Sequence, residues 1–160
     1  MFRETMIRKA RGQDWEALVS LFIIENKHNA ALAPDTVRET TEVLTVEELD
    51  AILVDDNSAL FVAEHHDTVV GTLLGNVVQV DCRRWTAPRC YSYIEDIVVA
   101  PRTRRQGIAQ KLVAHFECWA RAKKATSVEL HVWPNNADAI RCYAKMGFIN
   151  KQLLLSKRID

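Results

Sequence analysis

Residues 93–113 read YIEDIVVAPRTRRQGIAQKLV. An apolar strand, Tyr91 to Val99, runs into a polar, basic loop at Pro101 to Gln106. From Gly107 the apolar spacing turns helical, with Ile108, Leu112, Phe116 and Trp119 on one stripe. A helix that starts there leaves backbone N–H groups unpaired and presents its positive dipole end. Arg102, Arg104, Arg105 and Lys111 surround that end, and no acidic residue lies between positions 101 and 111. Gly107 lets the backbone approach a ligand, and Ala109 keeps the next turn small. The stretch is an anion site of a kind that suits a pyrophosphate. It is not a Walker loop, because the Gly-Lys-Ser/Thr ending is absent, nor a dinucleotide fingerprint, because two of the three glycines are missing.

Downstream, Val128 to Trp133 reads as a strand stopped by Pro134, and Asn136 to Met146 as a helix with Gly147 as its C-cap. Phe148 to Ser156 reads as a last strand. Upstream, Met6 to Ala10 is a short strand, followed by a helix that starts near Gln13 or Asp14 and carries Trp15, Leu18, Leu21 and Phe22 on one face. Thr45-Val46-Glu47-Glu48 has capping-box form and opens a helix through Leu49, Ile52 and Leu53. Two apolar runs, Ala59 to Glu64 and Val69 to Leu74, flank a polar turn at His65 to Thr68 and predict a β-hairpin. Residues 81–90 form a loop in which Trp85 reads as an anchor. The expected order is β-α-α-β-β-β-α-β-α-β in one domain over residues 1–160, an α/β (α+β) fold with mixed strand pairing.

Composition excludes several classes. About half the residues are apolar, at 48%, and 26% are charged, as in ordinary globular proteins. No apolar run reaches the roughly 20 residues of a membrane span, and the N-terminal stretch lacks the apolar core of a signal peptide. A cytoplasmic protein without membrane partners is expected. The four cysteines, Cys82, Cys90, Cys118 and Cys142, form no C-x-x-C pair, so no metal is expected. Cys118 and Cys142 read as small core residues. Net charge is zero, but residues 1–100 hold 9 Lys/Arg and 17 Asp/Glu, a net −8, and residues 101–160 hold 12 and 4, a net +8. Either this is solvated helix surface, or the basic part holds an anionic ligand. The basic residues centre on one helix start, which does not suggest nucleic acid.

At Arg104-Arg105-Gln106-Gly107-Ile108-Ala109 the chain resembles the GNAT superfamily of N-acetyltransferases, whose acyl-coenzyme A signature is Arg/Gln-x-x-Gly-x-Gly/Ala. Residues 136–148, NADAIRCYAKMGF, resemble a second block of that family through Asn136, Ala139, Tyr143, Gly147 and Phe148. The resemblance covers the chain from Met6 onward. It implies a mostly antiparallel central sheet flanked by helices, with a splayed strand pair holding acetyl-CoA as the acetyl donor. Ile97, Val98 and Val99 would pair with the pantetheine arm. Arg104, Arg105, Gln106, Gly107, Ile108, Ala109, Asn136, Ala139 and Tyr143 would complete the cofactor site.

The resemblance further implies that an amine attacks the thioester directly and that Tyr143 protonates the departing thiolate. By spacing alone, Tyr143 could equally be an aromatic core residue on the stripe of Ala139 and Ile140. Glu95 and Asp96 are carboxylates in an apolar strand, which strand alternation sends to opposite faces. Ile94-Glu95-Asp96 resembles the Leu-Glu-Asp of polyamine-type members, so Glu95 is expected as the base and Asp96 as an acceptor contact or structural residue. His28 is a further candidate on the acceptor side. Residues 30–57 hold eight acids and one base, Arg38, which reads as an acidic rim for a cationic amine or as solvated helix surface. The expected acceptor is a small-molecule amine, such as a polyamine, a lysine-like amino acid or an aminoalkyl compound. A protein N-terminus or lysine is the alternative, and a noncatalytic acyl-CoA-binding regulatory domain a second. A homodimer is expected from the resemblance alone.

Overall fold

The computed structural model describes residues 4–159. Five strands form one sheet in sequence order: β1 (Met6–Lys9), β2 (Ser58–His65), β3 (Thr68–Val80), β4 (Arg89–Val99) and β5 (Val128–Glu129). Helices α1 (Trp15–Leu32), α2 (Val46–Val54), α3 (Ile108–Ala122) and α4 (Ala137–Lys145), with single 3-10 turns at Gly12–Asp14 and Pro101–Thr103, complete the described elements. Neighbouring strands are antiparallel except β4 and β5, which run parallel. This is the mostly antiparallel mixed sheet that the sequence implied.

The period-two pattern of β2 explains why both sheet faces are covered. Phe61 and Ala63 join Leu73, Leu112, Val113 and Phe116 in a core beneath α3. Leu60 and Val62 join Leu18, Leu21 and Leu49 in a second core beneath α1 and α2. Each fully buried side chain of this size contributes about 1.5–3 kcal/mol. The β2–β3 hairpin turns through His66 at φ 50° and Asp67 at φ 59°, the two left-handed residues that a tight two-residue turn requires. At α2, Thr45 Oγ accepts the Glu48 N–H at 3.1 Å, and the Glu48 carboxylate accepts the Thr45 N–H at 2.8 Å, as the capping-box pattern predicts.

One irregularity in β4 positions the chemistry. Leu74 on β3 faces Asp96 on β4, yet the next residue, Gly75, faces Ile94, so Glu95 is an extra residue in the ladder. The effect is visible in the packing. Ile94 lies in the α3 core and Val98 in the α1 core, although residues four apart on a regular strand share a face. The bulge therefore overturns the expected alternation of Glu95 and Asp96. Asp96 points toward α1, and Glu95 is bonded by Asn76 Nδ2, on the face that Leu74 shares.

Four other expectations are corrected. The strand expected over 128–133 pairs only at Val128 and Glu129, and Phe148 to Ser156 forms no strand. Trp85 does not anchor its loop, being 87% exposed. Cys118 is exposed and Cys142 only half-buried, so neither is a core residue; α4 buries no residue fully.

Gly75 is the position at which bulge and core meet. A Cβ there would stand 2.5 Å from Phe116 Cζ and 2.6 Å from the Tyr93 carbonyl oxygen. The backbone oxygen cannot yield as a side chain can. Gly75→Ala is expected to destabilise the fold by about 1–3 kcal/mol, the usual cost of overpacking, measured by urea unfolding. An unchanged midpoint would show that the bulge tolerates a side chain.

Candidate active site

The loop after β4 has the geometry of an anion cradle. Gly107 takes φ 75° and caps α3, and Arg105 before it takes φ 62°. The first bond of α3 runs from the Lys111 N–H to the Gly107 carbonyl at 3.1 Å, so the N–H groups ahead of it point out of the helix end. No acidic residue lies in the first turn of α3. Ile108 is buried in the α3 core and offers its backbone rather than its side chain. Arg104, Arg105 and Gln106 are exposed, and Arg104 Nε donates to the Val99 carbonyl at 3.2 Å, which fixes the loop to the end of β4. A Cβ on Gly107 would meet no protein atom within 4 Å, so packing does not demand glycine here. The left-handed backbone at φ 75° does.

Beside the cradle β4 presents an open edge. Its ladder with β5 covers only Ser92–Val128 and Tyr93–Glu129. Beyond Tyr93 the two strands separate, and the β4 edge through Ile97, Val98 and Val99 has no ladder partner on that side among the described residues. A strand edge of this kind can pair with an extended, amide-bearing chain through its backbone groups. Asn136 caps α4 by accepting the Ala139 N–H at 3.4 Å, and so fixes the helix that carries Tyr143.

A cavity of about 320 Å³ opens on the α1 side of the sheet, lined among others by Glu25, Asn26, Asn29, Leu74, Asp96 and Trp133. Glu25 Oε1 accepts the Ile97 N–H at 3.4 Å. Glu25 Oε2 is buried and no donor among the described residues reaches it. Its neighbour is Asp96, itself an acceptor when ionised, so a proton shared between the two carboxyls satisfies both. Burial, then the Asp96 charge, pushes Glu25 up to about 9. Burial, then the Glu95 charge, also raises Asp96. Burial raises the Tyr143 phenol to about 12, with Glu25 and Cys142 adding to the effect, so the hydroxyl keeps its proton at neutral pH. The ring of Tyr143 meets Phe148 edge-on at 5.6 Å.

The structure thus gathers Asp96, Tyr143 and the 97–99 edge, with Glu25 as the member that sequence reasoning missed. Its signal was present: position 25 continues the apolar stripe of Leu18, Leu21 and Phe22 with a carboxylate. Glu95 is exposed and does not line the cavity. His28 is also exposed and outside the lining, because the cavity takes the α1 face of Phe22, Glu25, Asn26 and Asn29, about 100° away around the helix. Of the eight acids in residues 30–57, Glu42 lines this cavity and Glu39 and Glu42 line a neighbouring one. Glu47, Glu48 and Asp50 lie on the solvent side of α2.

The carboxyl pair sets a pH dependence. In the unfolded chain Glu25 ionises near the usual glutamate value of about 4.3, whereas in the fold it holds its proton up to about 9. Between those values the folded chain binds more protons, so its contribution is full below the lower value and is lost as pH rises through the window. The loss is limited to about 1.4 kcal/mol per pH unit for one proton. Glu25→Gln is expected to flatten the fall in stability between pH 5 and 8, followed by urea unfolding across pH. An unchanged slope would place the proton elsewhere.

Comparison with known proteins gives the family and the fold. A streptothricin acetyltransferase of Streptomyces lavendulae is 46% identical over 55 residues, covering 34% of this chain and 29% of that protein. The chain spans 29–49% of the length of the curated relatives it matches. Among solved structures, a mutant of the BH1408 protein of Bacillus halodurans superposes with a TM-score of 0.91 at 20% identity, covering 96% of this chain and 99% of that one. Aminoglycoside acetyltransferase AAC(6')-Iy, solved with a CoA bisubstrate analog, gives a TM-score of 0.72 at 19% identity, covering 99% of each chain. Residues 15–148 match the profile of the Acetyltransferase (GNAT) family, and the chain belongs to that family.

Proposed function

We propose that this GNAT acetyltransferase moves the acetyl group of acetyl-CoA onto the primary amine of a small cationic molecule by direct attack. A polyamine, a lysine-like amino acid or an aminoalkyl compound has the required chemistry. One observation carries the reading: a carboxyl pair, Glu25 and Asp96, in the wall of a cavity that adjoins the open edge of β4. A protonated amine is the natural counterpart of two carboxyls that hold one proton between them. The names of the relative and the solved neighbour, for streptothricin and aminoglycoside acetylation, support a small-molecule amine. The same proposal places the protein in the cytoplasm, where its free thiols stay reduced, and as a homodimer.

Acetyl-CoA supplies an activated acyl carbon and a thiolate leaving group. The chain's residues fit it: Gly107 and the α3 N–H groups would hold the pyrophosphate, Arg104 and Arg105 would add charge, and the 97–99 edge would orient the pantetheine amides. The acceptor nitrogen must be neutral to attack. Asp96, relayed to Glu25, takes its proton as the C–N bond forms, in place of the Glu95 expected from sequence. Glu95 assists by raising the proton affinity of Asp96. Tyr143 gives its proton to sulfur as the C–S bond breaks. The burial that raises the phenol also raises a thiolate beside it, so the two remain matched for transfer.

A panel of amines assayed with acetyl-CoA and a free-thiol readout tests the reading. Cationic small amines are expected as the best substrates, and Tyr143→Phe is expected to lower turnover on them by roughly 10²–10⁴-fold with acetyl-CoA affinity unchanged. Preference for neutral or anionic amines would overturn the acceptor class. Full turnover in Tyr143→Phe, where chemistry limits the rate, would return Tyr143 to a packing role.

A further inference from the structure

We propose that Asn26 sets the size of the acceptor: its side-chain amide holds residues 38–42 against α1 as a wall between the acceptor cavity and a neighbouring one. The inference rests on the acceptor binding proposed above and names the residue that limits it.

The wall needs a latch. Residues 37–45, between α1 and α2, form neither helix nor strand. Among the described residues, no backbone–backbone hydrogen bond ties 38–44 to the rest of the fold. At one end of this strap Val43 and Leu44 pack against the α1 core, and Trp15 Nε1 donates to the Leu44 carbonyl at 3.1 Å. The middle of the strap is held by Asn26. Asn26 Nδ2 donates to the Arg38 carbonyl at 3.0 Å, and Asn26 Oδ1 accepts the Thr40 N–H at 2.8 Å. An amide suits this task because it offers a donor and an acceptor side by side. Positions 38 and 40 have the spacing that a neighbouring strand would bond, so one side chain stands in for a sheet partner.

What the strap separates follows from helical phase. Phe22, Glu25 and Asn29 turn toward the acceptor cavity of about 320 Å³. Ile23 and Lys27 turn toward a second cavity of about 530 Å³. At about 100° per residue, Asn26 falls between those two faces. Thr40 and Glu42, beside the latch, line both cavities. The partition sorts charge as well as space. Glu25, Glu42 and Asp96 line the acceptor side with no Lys or Arg, whereas Lys27 and Arg38 line the other. Latched, the strap leaves room for a slim cation. Released, it would join the two spaces and no longer keep the Arg38 charge apart from the amine.

Two acceptors of equal charge and different bulk, diaminobutane and N-benzyldiaminobutane, test the proposal. With the unmodified chain the benzylated amine should show the higher KM. Asn26→Ala and Asn26→Leu should each narrow that gap by roughly tenfold, in KM rather than in kcat, with acetyl-CoA affinity unchanged. Leucine fills the place of the amide without its hydrogen bonds. A shift in Asn26→Ala alone would reduce Asn26 to side-chain volume and overturn the latch. Hydrogen exchange of the unmodified chain gives a reading that does not depend on any variant folding. The Thr40 amide should exchange more slowly than those of Glu39 and Thr41, and equal exchange would overturn the latch. An unmodified chain that takes both amines equally, or a gap unchanged in both variants, would refute the latch and leave the acceptor class standing. No turnover of either amine, in a chain that binds acetyl-CoA, would refute both.

Discussion

Two carboxyl groups that resist ionising together, Glu25 on α1 and Asp96 on β4, are the constraint on which the site depends. Charges buried side by side would repel strongly in a low dielectric, so the folded chain retains a proton there. That proton requires the α1 face to close on the sheet at one depth. It also requires β4 to turn Asp96 toward α1, which the bulge at Glu95 accomplishes. Gly75, beneath Phe116, makes room for the turn. Local backbone irregularity, core packing and proton affinity are thus one arrangement seen at three levels.

The other half of the site is built from ends rather than from side chains. The positive end of α3, the left-handed residues Arg105 and Gly107, and the unladdered edge of β4 all offer backbone groups. Few side chains of the cradle are held by packing, and Arg104, Arg105 and Gln106 are exposed.

Much of this was legible in the sequence because it rests on local rules. The switch of period at Gly107, the capping box at Thr45 and the hairpin around His65 to Thr68 each have a short-range physical cause, and each forms as expected. The bulge was not legible. Regular alternation is the default for Ile94-Glu95-Asp96, and only the register with β3 reveals the extra residue. Glu25 was hidden for a related reason: its partner lies 71 positions away, and a glutamate on a helix is usually solvated. His28 failed as a candidate through helical phase alone. The strand expected over Phe148 to Ser156 has the right residues but no strand partner among the described residues.

The shared proton is also the most direct point of contact with experiment. Carbon-13 NMR of the Glu25 and Asp96 carboxyl carbons, followed across pH, reads the protonation of each group. The account predicts a coupled titration in which the pair still holds one proton at neutral pH and releases it only in the alkaline range. Two independent transitions near pH 4, the value of about 4 usual for solvated carboxylates, would contradict it.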